Sequence, residues 1–260
     1  MRSVTRLVQL LEVLTDEPDG LGVVELAGRL GQPPSSIHRL LTALAEHRLV
    51  AQDDGTRRYR TGPALLRYAQ AFLHRDALSS VAGPYLSQLR DATRESVFLT
   101  ELIRDDAVCV ASAESPRPLR FFMRIGQRMP YHAAASARAI LAFQPDLVID
   151  RLLAAERMTP FTEATPVTVR AAMVDLERVR LNGFAVCDEE MEVGVTAVSA
   201  PIRDGSGRVG ASITVVGPHH RLLAARSASV AAVIGAAEQI AHALGYRPVA
   251  SPGLAAVSQS

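Results

Sequence analysis

The sequence predicts an α+β protein in which a small unit of three helices and a β-hairpin precedes a larger unit of mixed helices and strands. Three observations support this prediction. Apolar residues recur at helical spacing through residues 4–44. Two short runs of strand type flank turn residues at 53–56. From residue 78 onwards, helical stretches alternate with strand-type runs, and 260 residues are enough for two domains.

The composition limits the possible functions. All 28 basic residues are arginine and the net charge is only +1, so binding to nucleic acid would have to depend on local charge. No apolar run reaches the roughly 18 residues of a membrane span. Cys109 and Cys187 lie far apart without CxxC spacing, which predicts neither a disulfide framework nor a zinc site. We therefore expect a cytoplasmic protein without a membrane segment, metal or other cofactor.

The N-terminal elements form a recognisable order. Helices are predicted at residues 2–17 and 23–30, and a third begins at Ser35 or Ser36. A hairpin follows at residues 49–60. Three helices and such a hairpin make a winged helix-turn-helix, predicted here at residues 1–62, whose third helix would enter the major groove of DNA.

Charge and polarity fit this interpretation locally. Residues 29–60 hold six arginines against three acidic residues, whereas residues 1–28 hold two against five. A bidentate contact between Arg39 and guanine is chemically suitable for base recognition. An amphipathic bundle with a solvated arginine face would explain the same pattern equally well. The candidate DNA contacts are Gln32, Ser35, Ser36, His38, Arg39, Thr42, Arg57, Arg58 and Arg60.

The rest of the chain is predicted to comprise a linker helix at 63–77, a second domain at 78–246 and a flexible tail at 247–260. The tail is rich in Pro, Ser, Gly and Ala. In the second domain, helices are predicted near 78–92, 136–143, 146–155, 167–181 and 220–244, and strands at 96–103, 107–113, 119–124, 184–188, 195–202 and 208–216.

Possible catalytic signals are weak. The G-x-G-x-x-G match at residues 205–210 precedes a strand pattern instead of opening a helix, so we interpret it as a hairpin turn. The acidic run at 188–190 is more typical of a solvated or ion-paired loop than of an acid/base pair. His219 and His220 lack a third metal ligand at suitable spacing. Cys109 is expected in the core, and Cys187 either in a pocket wall or as a redox-sensitive thiol. We therefore do not expect an enzyme.

Short recognisable segments occur in a fixed order through both predicted domains. They include SVTRL at 3–7, GQPPSSIHRLL at 31–41, YRTGPALL at 59–66, PYHA at 130–133, GFAV at 183–186 and DEE at 188–190. In this series the chain resembles the IclR family of transcription regulators, over about residues 2–245. The resemblance implies a winged helix-turn-helix, a linker helix and a C-terminal GAF-like domain with an antiparallel sheet and flanking helices.

The resemblance also implies a function and a ligand site. It implies a sequence-specific regulator, taken here to be a repressor, that binds double-stranded operator DNA as a homodimer or tetramer. A small organic effector would lie between the sheet and the loop opening the helix near residue 136, where backbone N–H groups can bind a carboxylate. His132 would donate to the effector or orient the loop. The implied effector residues are Phe121, Met123, Met129, His132, Ala135, Ser136, Ala137, Cys187, Asp188, Ala197, Thr214 and Val216.

The chain departs from the family pattern at this site. Family members often carry Cys where Ala197 stands and Gly-Lys where Ala137-Arg138 stand, and relatives that sense small oxo-acids carry Asp in place of Cys187. These changes make the site less polar. Two alternatives stay open: a constitutive repressor with a degenerate pocket, given Ala134, Ala137 and Ala197, and a GAF-like enzyme whose N-terminal part serves only dimerisation.

We predict that the effector is an acid with an apolar body, aromatic or branched, because the site has lost polar groups that small oxo-acids would need. Calorimetric titration of the purified protein checks this. Aromatic acids should bind more tightly than glyoxylate or pyruvate, and the opposite order would contradict the prediction. A protein that binds none of these acids would point to the degenerate pocket.

Overall fold

The computed structural model describes residues 2–73 and 77–247. Contacts within the chain divide it between residues 76 and 77 into two compact units. The predicted tail at 247–260 lies outside the described residues apart from Arg247, and so do residues 74–76 of the predicted linker. Within the described part, no helix has the length and apolar character needed to cross a bilayer.

The N-terminal unit is a winged helix-turn-helix, as predicted. Its three helices enclose a core to which Leu10, Leu26, Ile37 and Leu41 contribute fully buried side chains. The antiparallel hairpin pairs Val50 with Thr61. The elements are α1 (Arg2–Thr15), α2 (Val23–Leu30), α3 (Pro34–Glu46), β1 (Val50–Gln52) and β2 (Tyr59–Thr61), with α4 (Pro63–Leu73) after them.

The turn between α2 and α3 follows from its local sequence. Gly31 ends α2 in the left-handed conformation at φ +60°, which glycine adopts without steric cost. The N–H of Gln32 then donates to the carbonyl of Ala27 at 3.0 Å, closing the helix end. Pro34 occupies the first turn of α3, where a missing N–H costs nothing. The two helices are therefore fixed by residues at their junction.

The C-terminal unit is built on a five-stranded antiparallel sheet in the order β4-β3-β7-β6-β5. Its strands are β3 (Ser96–Ile103), β4 (Asp106–Ala113), β5 (Ala185–Asp188), β6 (Val195–Arg203) and β7 (Val209–Pro218). Its helices are α5 (Ala77–Thr93), α6 (Ala135–Leu141), α7 (Asp146–Ala155), α8 (Val169–Asn182), α9 (His219–Ala224) and α10 (Arg226–Ala243).

Alternate residues of each strand face opposite sides of this sheet. Val97, Val198 and Val215 belong to the apolar cluster that includes residues of α5 and α10. Phe98 and Val216 belong to the other cluster, which includes α6, α7 and α8. Helices therefore cover both faces, and the predicted combination of antiparallel sheet and flanking helices is confirmed.

The structure corrects two predicted elements. Residues 119–124 form no strand, although their apolar residues predicted one. Phe122 is 63% exposed there, and the chain meets the edge of β4 only further on, where Met129 N–H donates to Ala107 at 2.7 Å. The single helix predicted at 220–244 is divided at Ala225, where φ of −108° breaks the helical path. The turn predicted at 205–210 is confirmed between β6 and β7.

Two glycines of the N-terminal unit should respond oppositely to alanine substitution. A Cβ at Gly62 would lie 2.3 Å from the carbonyl oxygen of Arg48, whereas a Cβ at Gly28 in α2 meets nothing within 4 Å. Gly62→Ala should destabilise the unit by about 1–3 kcal/mol through overpacking. Gly28→Ala should stabilise it by about 0.5–1 kcal/mol through helix propensity.

Hydrogen exchange of the backbone amides of residues 4–62, measured on the full chain, reports both changes in the stability of the N-terminal unit. The Gly28→Ala variant serves as the matched control. Equal protection in the two variants would contradict the close approach of Gly62 to Arg48.

Candidate nucleic-acid interface and effector face

The outer face of α3 is polar and open. Ile37, Leu41 and Leu44 bury the inner face of this helix and so fix its rotation. Arg39 is exposed, and its guanidinium has no side-chain or backbone partner in the described part of the chain. The face of α3 that points away from the core also carries Ser35, His38 and Thr42, which are exposed. Ser36 in α3 and Gln32 just before it are half-buried.

The side chains predicted to contact DNA differ in whether they already have a hydrogen-bond partner inside the protein. The hydroxyl of Thr42 donates to the backbone carbonyl of His38 at 2.9 Å, so its proton is already committed within α3. Arg57 and Arg60 of the hairpin are exposed. The wing turn that presents them is held by Asp53, whose carboxylate accepts hydrogen bonds from the backbone N–H and the hydroxyl of Thr56, each at 2.8 Å.

Arg58 is engaged within the unit, unlike its neighbour Arg57. Its Nε donates to the carbonyl of Gly20 at 2.9 Å, and its Nη2 lies 3.0 Å from a carboxylate oxygen of Glu25. The backbone N–H of Gly22 and the charge of Arg58 together lower the pKa of Glu25. Arg58 therefore ties the hairpin to the start of α2, a role that the sequence could not separate from DNA contact.

The effector residues implied by the resemblance come from distant segments, and the fold brings most of them together. Neighbouring strands align Cys187 with Ala197 and Ala197 with Val216. We call the side of the sheet that carries these three residues the effector face. One apolar cluster on this face contains Met129, Ala135, Ala137, Cys187, Ala197 and Val216, and the partly buried Phe121 and Met123 pack against it.

Buried hydroxyls add polarity to the effector face. Thr214 Oγ1 donates to Ser199 Oγ at 2.9 Å, and Ser212 Oγ donates to the backbone carbonyl of Ser136 at 2.9 Å. Ser136 Oγ and Thr100 Oγ1 are buried and have no hydrogen-bond partner within residues 2–73 and 77–247, which the structure describes. A buried hydroxyl without a partner costs free energy, so both atoms can stabilise a polar group placed beside them.

Sequence reasoning missed Thr100, Ser199 and Ser212. Their positions alternate along β3, β6 and β7 with residues of the opposite face, so they share a side with Phe98 and Val216. Strand alternation alone could have identified them once the register was known.

Asp188 does not join the effector face. It follows Cys187 in β5 and so points to the other side of the sheet. There it accepts a hydrogen bond from Thr196 Oγ1 at 2.6 Å and lies 2.8 Å from His219 Nδ1. Burial disfavours its charged form, but the hydrogen bonds from Thr196 and His219 outweigh burial and lower the pKa of Asp188.

His132 is fully buried and contacts the segment that follows α7. Its Nε2 lies 3.0 Å from the carbonyl of Thr159, and its Nδ1 lies 3.4 Å from a carboxylate oxygen of Glu156. The imidazole also stacks on Phe161 with ring centroids 5.8 Å apart. These contacts fix the loop that opens α6 against the segment after α7, which matches the orienting role considered for His132.

A buried ion pair that the sequence did not reveal joins α6 to the loop after β5. Arg138 is 2% exposed and forms a salt bridge with Glu190. Its Nη2 also donates to the carbonyls of His132 and Ala133 at 2.9 and 3.1 Å. An arginine inside the apolar sequence ASARAIL was the available signal, because a buried charge needs a partner.

Both cysteine thiols are free and buried. Cys187 is 4% exposed and Cys109 is fully buried. Burial raises the pKa of each thiol to about 11, so both stay protonated near neutral pH. Cys187 therefore fits the wall of a pocket better than a redox-sensitive site. Among the described residues, no group of three or more His, Cys, Asp or Glu side chains could hold a metal ion.

A winged helix-turn-helix followed by a GAF-like domain defines a class of DNA-binding regulators. Residues 3–54 match the family model for the IclR helix-turn-helix domain, and residues 70–242 match that for the bacterial transcriptional regulator IclR C-terminal domain. The chain belongs to the IclR family of transcriptional regulators.

Named relatives resemble the chain over nearly its whole length. HTH-type transcriptional regulator BhcR of Paracoccus denitrificans (strain Pd 1222) is 33% identical over 95% of this chain and 88% of its own. Transcriptional repressor IclR of Escherichia coli (strain K12) is 28% identical over 94% of this chain and 90% of its own. The crystal structure of Thermotoga maritima IclR matches with a TM-score of 0.79 and 25% identity, covering 95% of this chain and all of that one.

Neither native thiol should react quickly with a thiol reagent at pH 8, because burial blocks access and a pKa of about 11 keeps the thiolate fraction small. Titration with 5,5′-dithiobis(2-nitrobenzoate) should detect two thiols only after unfolding in guanidinium. A Ser80→Cys variant at an exposed position of α5 is the positive control. Rapid native labelling of Cys187 at pH 8 would restore the redox-sensitive interpretation.

Proposed function

We propose that this protein is a sequence-specific repressor that binds operator DNA through α3 and the β1–β2 hairpin and is controlled by a small organic acid at the effector face. The observation that carries the DNA-binding part is Arg39, which is exposed and has no partner among the described residues, on the polar side of a helix whose other side is buried. Such a helix fits the width of the major groove.

The residues divide naturally into two kinds of contact. Arg39 has the donor geometry to bind O6 and N7 of guanine, and so would read sequence. Ser35 and Ser36, at the start of α3, and Arg57 and Arg60 of the wing would contact phosphates and set the position of the unit on DNA. Arg58 would add less to these contacts, because the carboxylate of Glu25 already offsets its charge and Gly20 holds its Nε.

A dimer is the working form we propose. The few phosphate contacts available to one unit imply modest affinity for each subunit. Val4 and Val8 lie one turn apart on α1 and are 68% and 48% exposed. A second copy that covers this apolar stripe would place two recognition helices on one palindromic operator, as in other helix-turn-helix dimers.

The effector would place its acidic end near the start of α6 and its apolar body against the sheet. The unpartnered hydroxyls of Ser136 and Thr100 support the first part. The side chains of Phe121, Met129 and Val216 support the second, because they form a largely apolar surface. Binding would act by shifting the populations of conformers that differ in affinity for DNA.

Replacement of Arg39 tests the DNA-binding role. Wild type should bind a fragment from upstream of its own gene with sub-micromolar affinity, and Arg39→Ala should lose about 1–3 kcal/mol with relaxed sequence preference. Arg178→Ala, which removes the same charge from a 69% exposed position on α8, is the matched control and should bind as wild type does. Gel-shift titrations at fixed salt measure all three proteins.

The contrary result is weak, salt-sensitive binding that is equal for every DNA fragment and for all three proteins. In that case the helix-turn-helix makes no base-specific contact, and a search for enzymatic turnover in the C-terminal unit becomes the next step.

A further inference from the structure

A groove lies on the C-terminal unit beside the outer edge of β6. The end of α8, the last residues of β6 and one side of α10 enclose it, with a volume of about 640 Å³. None of its lining residues belongs to the predicted effector set. Its apolar lining is formed by Phe143, Ala200, Ile234, Ala237 and Ala241.

The groove exists because β5 is short. β5 pairs with β6 only from Thr196 to Ser199, whereas β6 continues to Arg203. Gly183 ends α8 in the left-handed conformation at φ +78° and turns the chain into β5 beside this gap. Along Ala200–Arg203 the outer edge of β6 therefore has no strand partner among the described residues, and the space beside it stays open.

Two arginines of the groove are held in place by backbone carbonyls. Arg203 Nη1 donates to Gly207 at 2.9 Å, and its guanidinium lies 5.1 Å from the ring centre of Phe143. Arg180 Nε donates to Ala142 at 2.5 Å. A guanidinium has five N–H donors, so each arginine keeps donors for another partner while its position is already fixed.

The charges in the groove favour an anion. Arg180 and Arg203 supply two positive charges, and Glu238 on α10 supplies one negative charge. Asp146 contacts Arg180 at 3.3 Å, but its side chain is 87% exposed, so water screens much of its effect. Asn182 and His242 line the same space and add hydrogen-bonding groups.

We propose that this groove is a second ligand site, which shares no residue with the predicted effector set and binds an organic anion with an apolar body. The carboxylate would pair with Arg180 and Arg203, a geometry for which guanidinium groups are suited. The apolar body would lie on Ile234, Ala237 and Phe143. The volume falls within the range of roughly 300–1,000 Å³ typical of small-molecule sites.

Calorimetric titration of the full-length protein with 1-naphthoate tests the site. Arg203→Gln and Arg180→Gln should each weaken binding in the groove about tenfold, which corresponds to about 1.4 kcal/mol. Glu238→Gln should strengthen binding in the groove about threefold, because it removes a negative charge that repels the anion. Since Glu238 is exposed, this variant keeps the proposal testable even if an arginine variant folds poorly.

Arg178→Gln is the matched control because it lies two residues from Arg180 on the same helix but outside the groove. It should bind as wild type does. Ala197→Phe, which fills the effector face, should remove any binding there and leave the groove component intact, so failure of the effector proposal would not affect this one.

Four results would overturn the proposal. They are absence of naphthoate binding, equal weakening by Arg178→Gln and Arg180→Gln, complete loss of binding in Ala197→Phe, or affinity that falls as protein concentration rises. The last result would make the groove an interface between two copies of the chain.

Discussion

Burial of the central sheet on both faces is the constraint on which the C-terminal unit depends. Strand alternation sends Val97, Val198 and Val215 to one cluster and Phe98 and Val216 to the other. A shift of one residue in the register of β7 would turn each of its residues to the opposite face of the sheet. Hydroxyl groups would then be buried in an apolar core. The same register that fixes the core therefore fixes which side chains lie beneath α6.

Buried polar contacts then hold the irregular segments around this sheet. Glu95, which immediately precedes β3, is 3% exposed and accepts two hydrogen bonds from Arg221 of α9, at 2.6 and 2.7 Å. Arg221 also donates to the carbonyl of Leu119 at 3.1 Å. The segment that carries Phe121 is thereby tied to the end of α5 and the start of α9, as the loop before α6 is tied through Arg138. Removing one partner from such a pair leaves a buried charge, which is strongly destabilising.

Local patterns predicted the elements whose periodicity matches their burial. The stripe of Ile37, Leu41 and Leu44 identified α3, and turn residues identified the wing. The same reasoning failed at residues 119–124. Phe121 and Met123 pack on the core and Phe122 is exposed, as in a strand, but the segment pairs with no strand among the described residues. Sequence could not separate Arg57 from Arg58 either, since only the folded unit brings Glu25 and Gly20 to Arg58. The candidate effector residues came from the family resemblance, because no local pattern links positions on three different strands.

The open edge of β6 has a consequence for what can enter the groove beside it. An unpaired strand edge usually offers a row of backbone donors and acceptors to any extended chain nearby. Here Pro201 lies within that stretch and has no N–H to offer, and Arg203 places a charge at its end. Proline and charge are the features by which natural sheets prevent edge-to-edge aggregation. The protein can thus keep this edge accessible to a small solute without recruiting a strand from another molecule.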